Sequence, residues 1–381
     1  MDGIDALTAE AVAEIIVDAE EIGRRHGLIR EQMRLEGIDT LLIYATALRP
    51  FGVHYASNYD LIGEGALVII SDHAEPKLIV SELWDLERAR LVSPIADIAQ
   101  ENDMATYCGR LLAKDRTGIA GLEWVGSAFN ARLVEAAGGQ VKNCSRLLER
   151  AASLKTPLER ELIRQAAYLA DIGFEHGYRM LRRGLREFEL AAEIEYAMRA
   201  AGAVDNFGLL SSGKHNRAIG LPTDKAVEEG DLLIFEITPA RLSRNYSAQL
   251  CRTMSMGRGS KVAHEKYKVI EEALEEGLRA VKPGAPASDI VIAQDNVISR
   301  YGYGDYCRPP YMRARGHGFG LGRIDLARGN TQVLEPNMAM IVHPNQYFPE
   351  LGYLALGEMV LVTETGVERL CRLRPGIYEC D

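Results

Sequence analysis

Two histidines and one glutamate stand in sequence settings that favour a chemical role. His317 lies between two glycines in GHGFGLG, where the backbone can pass close to a ligand. His343 ends the apolar run AMIVH, a setting in which a histidine on its own is usually structural. Glu236 follows the apolar run LLIF, so a buried carboxylate there needs a partner, for which Arg252 is a candidate. His317 is therefore the most direct indication of a site.

Basic and thiol side chains surround these residues in the sequence. Arg313, Arg315 and Arg323 flank His317, and an arginine can bind a substrate carboxylate through two parallel hydrogen bonds. The preceding segment, CRPPYMRARGHG, is a candidate lip for a pocket. Cys251 lies on an apolar strand, where a cysteine usually packs as an inert core residue. We therefore expect arginine rather than cysteine to contact a substrate.

The N-terminal part of the chain alternates helical and strand patterns. Apolar residues at helical spacing predict an amphipathic helix over residues 8–36. Strand-like runs follow at Thr40–Tyr44, Ala66–Ile70 and Lys77–Val80, separated by Gly, Asp and Pro. This alternation continues to about residue 150 and predicts a smaller α/β domain over residues 1–153.

A second domain is predicted over residues 154–381. Pro157 suits the first turn of a long helix that ends before Gly184, and a second helix is predicted over Glu187–Met198. Another helix is predicted at about residues 262–281. Short strands are predicted at Leu232–Ile237, Gln249–Met256, Ala339–His343 and Met359–Thr363. The fold class is therefore α+β, with a curved, mainly antiparallel sheet in the C-terminal domain.

Composition and charge exclude several classes of partner. The net charge of −10 lacks the basic footprint that nucleic acid or an anionic membrane requires. No apolar run approaches the ~20 residues of a membrane span, and the acidic N-terminus is unlike a signal peptide. The six cysteines show no CxxC spacing. We expect a cytoplasmic protein with a small-molecule substrate and with neither nucleic acid nor membrane as partner.

The order of motifs between Lys155 and Leu370 resembles the pita-bread superfamily of creatinase, prolidase and aminopeptidase P. GDLLIFEITP resembles a strand that normally reads GDxVxxDxG, and NYSAQLCRTMSMG one that reads YxxDxTRTxxxG. GHGFGLG matches GHGIGL, NMAMIVHPNQY matches GMxxTxEPGxY, and GEMVLVTETGVERL matches EDxVxVTxxGxExL. The resemblance implies the two-domain fold of this superfamily and a homodimer in which an N-terminal domain borders the partner's pocket.

The resemblance also identifies the positions at which metal-dependent members bind two divalent ions. Those members use two aspartates, one histidine and two glutamates, whereas this chain has Glu236, Gln249, His317, His343 and Gly357 at these positions. Two ions about 4 Å apart repel each other and need bridging carboxylates, and both bridging positions have lost theirs. We therefore expect no metal and no other cofactor, with a single divalent ion as the alternative.

The creatinase branch of the superfamily also works without metal, and this chain resembles that branch most in character. Creatinase has a catalytic histidine just before the proline of its HxP turn, where this chain has Gly220, and His215 is the nearest histidine. It also has a glutamate at the position of Cys251, so creatine itself is not the expected substrate. The expected function is metal-independent hydrolysis of a non-peptide C–N bond in a small polar substrate. Amidine, guanidino, cyclic-imine or lactam compounds, with a carboxylate, fit this expectation.

In this hypothesis His317, His343 and Glu236 are catalytic, and the two histidines move protons between a water molecule and the leaving nitrogen. Six further residues are expected to bind the substrate: His215, Gln249, Tyr246, Arg313, Arg315 and Glu358. Glu358 is included although strand alternation turns it away from the site unless a bulge shifts the register. Two alternatives remain: a lyase or hydrolase of the same fold with one metal, and a non-catalytic binding protein.

Overall fold

The computed structural model describes residues 12–381, which form two compact units. The N-terminal unit contains residues 15–158 and 320–322, and the C-terminal unit contains residues 12–14, 159–319 and 323–381. The predicted domain boundary, between residues 153 and 154, lies a few residues before this division. Each unit is described separately below.

The N-terminal unit is an α/β domain with a mixed sheet. Its helices and strands are α1 (Ala19–Leu35), β1 (Thr40–Ala45), α2 (Phe51–Ser57), β2 (Ala66–Ser71), β3 (Lys77–Val80), α3 (Leu83–Val92), β4 (Asp97–Gln100), α4 (Met104–Leu112), β5 (Thr117–Ala120), α5 (Ser127–Ala136) and α6 (Ser145–Ser153). The strand order is β4-β3-β2-β1-β5. The pairs β1–β2 and β2–β3 are antiparallel, whereas β1–β5 and β3–β4 are parallel.

The first helix is shorter than the periodicity predicts. It begins at Ala19 because the side chain of Asp18 accepts a hydrogen bond from the backbone N–H of Glu21 and caps the helix. Residues 12–18 are not helical, and residues 8–11 of the predicted helix lie outside the described residues. The helical spacing of apolar residues extends past the capping residue Asp18 towards the N-terminus. The predicted helix was too long because apolar spacing alone does not show where a helix starts.

The C-terminal unit combines four helices with three antiparallel-rich sheets. Its elements are α7 (Pro157–Met180), α8 (Glu187–Ala200), β6 (Asp205–Gly213), β7 (Leu232–Arg241), β8 (Ser243–Ser247), β9 (Leu250–Met256), α9 (Lys261–Ala280), α10 (Ala287–Arg300), β10 (Ala314–His317), β11 (Asp325–Ala327), β12 (Ala339–Val342), β13 (Gln346–Phe348), β14 (Gly352–Leu354), β15 (Glu358–Val362), β16 (Val367–Arg369) and β17 (Ile377–Cys380). One sheet has the order β17-β9-β7-β6, with β8 on β7; the second has the order β11-β10-β12-β15-β16; β13 and β14 form a hairpin. The predicted α+β fold class is confirmed.

Strand alternation on β7 turns one glutamate away from the core of this unit. Leu233, Phe235 and Ile237 pack with α7 and α8 in one hydrophobic cluster, and the ring of Phe235 meets that of Phe174 edge to face at 5.6 Å. Because successive side chains of a strand point to opposite faces, Glu236 lies on the face of β7 away from these helices. Among the helices of residues 12–381, none is both long and apolar enough to cross a bilayer.

Candidate active site

The two larger sheets of the C-terminal unit meet at the predicted site. Glu236 on β7 pairs across the strands with Cys251 on β9, so their side chains share one face of the sheet. Cys251 in turn forms a bridge with Gly357, immediately before β15 of the other sheet. His317 ends β10 beside Ile341 of β12, and His343 follows that strand. We call Glu236, Gln249, Cys251, His317, His343 and Gly357 the central cluster.

The two histidines of the central cluster lie next to each other. Their ring centroids are 5.6 Å apart and the rings are nearly perpendicular. Burial lowers the pKa of His317, and burial with the neighbouring His317 lowers the pKa of His343 to about 3. Nδ1 of His317 lies 3.0 Å from the carbonyl oxygen of Gly318, and Nδ1 of His343 is buried without a hydrogen-bond partner among residues 12–381. Both imidazoles are therefore neutral at pH 7.

Glu236 is held by an asparagine. Nδ2 of Asn345 donates a 2.8 Å hydrogen bond to Oε1 of Glu236. The net effect of burial is to raise the pKa of this carboxyl group, and the hydrogen bond from Asn345 opposes the shift. Asn345 is only 1% exposed and is itself fixed, since its Oδ1 accepts a hydrogen bond from the N–H of Leu356 at 2.9 Å. Asn345 was missed at the sequence level, although it stands where the EPGxY motif has glycine.

The remaining positions of the central cluster carry an amide, a thiol and a glycine. Nε2 of Gln249 donates to Oγ1 of Thr238 at 2.9 Å, and Sγ of Cys251 lies 3.6 Å from Oε1 of Gln249. Burial raises the pKa of the Cys251 thiol well above its usual value, so it is not a ready nucleophile. A Cβ atom on Gly357 would lie 2.9 Å from Cβ of His343 and 3.0 Å from Sγ of Cys251. The space that a side chain at 357 would need is therefore taken.

These contacts do not fit a centre for two divalent ions. Such a centre needs carboxylates that bridge the ions, and here one bridging position is a neutral amide while the other has no side chain or room for one. Across residues 12–381, no group of three or more His, Cys, Asp or Glu side chains is arranged to hold a metal ion. Glu236, His317 and His343 therefore do not form a three-ligand metal site.

Two residues predicted to bind the substrate are engaged in buried ion pairs. The guanidinium of Arg315 is 1% exposed and donates to Asp295 and to Oε1 of Gln346, each at 2.9 Å. Glu358 is also 1% exposed and pairs with Arg252, which donates to the carbonyl oxygens of Cys251 and Gly357 as well. Arg252 thus pairs with Glu358 rather than with Glu236. The Arg252–Glu358 pair joins strands β9 and β15, whereas the Arg315–Asp295 pair joins strand β10 to helix α10.

The other three predicted substrate-binding residues outside the cluster have different settings. Nε2 of the exposed His215 lies 3.0 Å from the carbonyl oxygen of Pro349, and its ring meets that of Tyr347 edge to face. Tyr246 on β8 is buried, at 1% exposure. Arg313 is exposed, one residue before β10. Of the three predicted arginine and glutamate contacts, only Arg313 presents its side chain to solvent.

An apolar cavity of about 420 Å³ lies on the opposite face of β7. It is lined by residues of α8 and β6 together with Phe235 and Ile237, which flank Glu236 in sequence and point the other way. Its lining contains one ionisable group, Glu195. This cavity therefore offers no acid–base pair, and the central cluster remains the candidate for chemistry.

Comparison with known proteins defines the class of this fold and site. The model of metallopeptidase family M24 matches residues 161–364, so the chain belongs to this family. The Xaa-Pro dipeptidase of Pyrococcus furiosus is 27% identical over 331 residues, which cover 85% of this chain and 92% of the relative. The solved prolidase from Pyrococcus furiosus is 26% identical with a TM-score of 0.78, covering 91% of this chain and 99% of that one. The solved X-Pro aminopeptidase from Thermotoga maritima is 25% identical with a TM-score of 0.79, covering 92% and 99% respectively.

These findings confirm the pita-bread fold and correct the functional expectation. The similarity is to Xaa-Pro dipeptidases of a metallopeptidase family, not to the creatinase branch. The prediction of a metal-independent hydrolase of a non-peptide C–N bond is therefore wrong, and so is the prediction of no metal or other cofactor. The error came from treating the loss of individual ligands as the loss of the family's reaction, whereas 85% of this chain aligns with a Xaa-Pro dipeptidase.

Proposed function

We propose that this protein is a peptidase that hydrolyses the peptide bond of short Xaa-Pro peptides at the central cluster. The observation that supports this most strongly is the similarity to the Pyrococcus furiosus Xaa-Pro dipeptidase, which extends over 92% of that protein and through both units of this chain. The position of His317 and His343 beside each other, within the residues matched by the family, agrees with a reaction at this place.

In this proposal the protein's own groups move the protons of hydrolysis. Water adds to the carbonyl carbon, the C–N bond breaks, and the leaving nitrogen gains a proton. Neutral His317, with Nδ1 engaged by Gly318, leaves Nε2 to accept a proton from the water. Glu236 holds a proton at a higher pH than an ordinary glutamate because it is buried, and is the proposed donor to the leaving nitrogen.

The proposed substrate contacts use the groups that border the central cluster. Arg313 is exposed and is the proposed partner of the terminal carboxylate of a dipeptide, which a guanidinium can bind with two hydrogen bonds. Gln249 and Tyr246 are proposed to contact the peptide backbone. His343 completes the catalytic group with His317 and Glu236. His215 remains a proposed contact at the edge of the site, next to Tyr347.

The test is a panel of dipeptides with proline in the second position, compared with the same residues in reversed order and with Ala-Ala. Reactions should be run with Mn²⁺, Co²⁺ or Zn²⁺ added, because the family is one of metallopeptidases. We expect cleavage of Xaa-Pro peptides, and a loss of at least about a hundredfold in kcat for His317→Ala and Glu236→Gln. His73→Ala, which changes an exposed histidine of the N-terminal unit, is the matched control.

Circular dichroism and melting temperature should show that each variant is folded. Failure of the wild-type protein to cleave any Xaa-Pro peptide with any of the three ions would overturn the proposal. If Xaa-Pro peptides bind without being cleaved, the protein is a peptide-binding member of the family instead.

A further inference from the structure

Strand β6 is an edge strand of its sheet, and the apolar cavity follows that edge. In the sheet order β17-β9-β7-β6, β6 pairs with β7 alone. Five consecutive residues of β6, 206–210, line the cavity of about 420 Å³ together with residues of α8. Successive side chains of a strand point to opposite faces, so a cavity that touches all five lies along the backbone at the edge. We call this cavity and the adjoining edge the β6 groove.

The backbone groups of Gly208 point out of the sheet at this edge. The N–H of Leu210 donates away from β7 to the carbonyl oxygen of Gly220 at 2.9 Å, and the N–H of Ser212 donates in the same direction to Glu187. Because the backbone groups of a strand alternate between its two sides, the N–H and C=O of Gly208 also point away from β7. Neither group has a hydrogen-bond partner beyond the β6–β7 pair among residues 12–381. The groove therefore offers one free backbone donor and one free acceptor.

Small residues leave the space beside Gly208 open. Gly208 lies opposite Ile237 in the β6–β7 register, and a Cβ atom added to it would meet one non-neighbouring atom within 4 Å, Nδ2 of Asn206 at 3.2 Å. The helix contributes Ala191 and Ala192 to the facing wall. The volume lies in the range of roughly 300–1,000 Å³ that is typical of ligand pockets. The space can therefore accept a bulky apolar side chain from another molecule.

The mouth of the groove is apolar, and its one ionisable group is acidic. Phe188, Phe207 and Leu221 line it and are 41%, 58% and 69% exposed. Oε1 of Glu195 accepts a 2.8 Å hydrogen bond from Nε of Arg199, whereas Oε2 has no donor among the described residues. Helix α8 carries four glutamates and a single arginine. The charge of the groove therefore complements a basic partner and disfavours an acidic one.

We propose that the β6 groove binds an extended segment of another polypeptide, which adds a strand to β6 and inserts one bulky apolar side chain beside Gly208. In strand addition the backbone hydrogen bonds supply affinity, and pockets for alternate side chains supply specificity. A basic residue two positions from the apolar one lies on the same face of the added strand and faces Glu195. The groove lies on the face of β7 opposite to Glu236, so this binding is separate from the proposed hydrolysis.

The probe is a blocked synthetic peptide, acetyl-Lys-Ser-Phe-Ser-Lys-amide, titrated into the full-length protein by calorimetry. We expect saturable binding of one peptide per chain. Replacement of its Phe by Ala removes the buried ring and should weaken binding at least about tenfold. Methylation of the backbone nitrogen of the same Phe removes one hydrogen bond and should weaken binding about fivefold. Replacement of both Lys by Glu should weaken binding at least about twofold.

Three variants of the protein make the test specific. Gly208→Val fills the space beside the edge and should abolish binding, while Xaa-Pro hydrolysis is unchanged. Its matched control is Gly366→Val, because an added Cβ atom at Gly366 meets nothing within 4 Å. Ala192→Phe narrows the same space from the helix and replaces Gly208→Val if that variant does not fold. Glu195→Lys should reverse the preference between the Lys and Glu peptides.

Four outcomes would overturn the inference. They are no saturable binding of the Lys peptide, equal binding by wild type and the folded filling variants, and equal binding of the N-methylated peptide. The fourth is a wild-type dimer that Gly208→Val converts to a monomer, since the occupant of the groove would then be a second copy of this chain.

Discussion

For individual residues, the sequence identified the side chains that could take part in a reaction, but not the residues that form hydrogen bonds or ion pairs with them. His317 was identified by its flanking glycines, and His343 by its place in a family motif, and the two rings do lie side by side. Arg252 was a candidate partner of Glu236, yet Glu236 is held by Asn345 while Arg252 pairs with Glu358. Pairing depends on which strands become neighbours, and single-sequence patterns do not show that.

Gly357 provides a residue-scale prediction about why the family glutamate is absent here. Gly357→Ala places a Cβ atom within 3.1 Å of three atoms of His343 and Cys251. Overpacking of a buried site typically costs about 1–3 kcal/mol, so the free energy of unfolding in urea should fall by that amount. Gly366→Ala is the control, because its added Cβ would meet nothing within 4 Å. Equal stability of the two variants would show that the strands at 357 have room for a side chain.

The helices and strands that the sequence predicted by range are all present among the described residues, and the errors lie at their ends. The strands predicted from Thr40, Ala66 and Lys77 begin at those residues, and α7 begins at Pro157. The predicted range of the N-terminal helix was too long, because Asp18 caps the helix at a point where the apolar pattern continues. The site depends on the bridge between Cys251 and Gly357, which joins two sheets far apart in sequence. No local pattern encodes such a contact.

Helix α7 is tied to the C-terminal segment by a buried carboxyl group. Asp171 is fully buried and accepts hydrogen bonds from the N–H groups of Arg372 and Leu373, at 2.8 and 3.4 Å. Burial raises its pKa to about 7, although these hydrogen bonds oppose the shift. The folded protein therefore holds a proton between about pH 4 and pH 7 that the unfolded chain releases. The contribution of this group to stability is present at low pH and is lost as the pH rises through 7.

Because the stabilising contribution of Asp171 is lost as the pH rises, the effect of Asp171→Asn on stability should depend on pH. The amide keeps a hydrogen-bond acceptor but cannot ionise, so the variant avoids the cost of a buried charge above pH 7. Relative to wild type, its melting temperature should be higher at pH 8 than at pH 5. Thermal melts of both proteins at the two pH values provide the measurement, with exposed Asp224→Asn as control. If the difference in melting temperature between Asp171→Asn and wild type is the same at both pH values, the raised pKa of Asp171 is contradicted.

For the whole molecule, the order of the motifs was sufficient to predict the fold but not to predict the function. Five motif matches in sequence order predicted the pita-bread architecture, which solved relatives with TM-scores of 0.78 and 0.79 confirm. The functional prediction was wrong because the altered ligand positions Gln249, His343 and Gly357 were given more weight than similarity along 85% of the chain. The homodimer implied by the resemblance stays a prediction.

The central claim is that the central cluster hydrolyses Xaa-Pro peptides. The most direct test is to measure kcat for an Xaa-Pro dipeptide, with Mn²⁺, Co²⁺ or Zn²⁺ added, on wild type, His317→Ala and the control His73→Ala. The account predicts a loss of at least about a hundredfold in kcat for His317→Ala and no change for His73→Ala. Equal rates for wild type and His317→Ala, or no cleavage by wild type with any of the three ions, would contradict it.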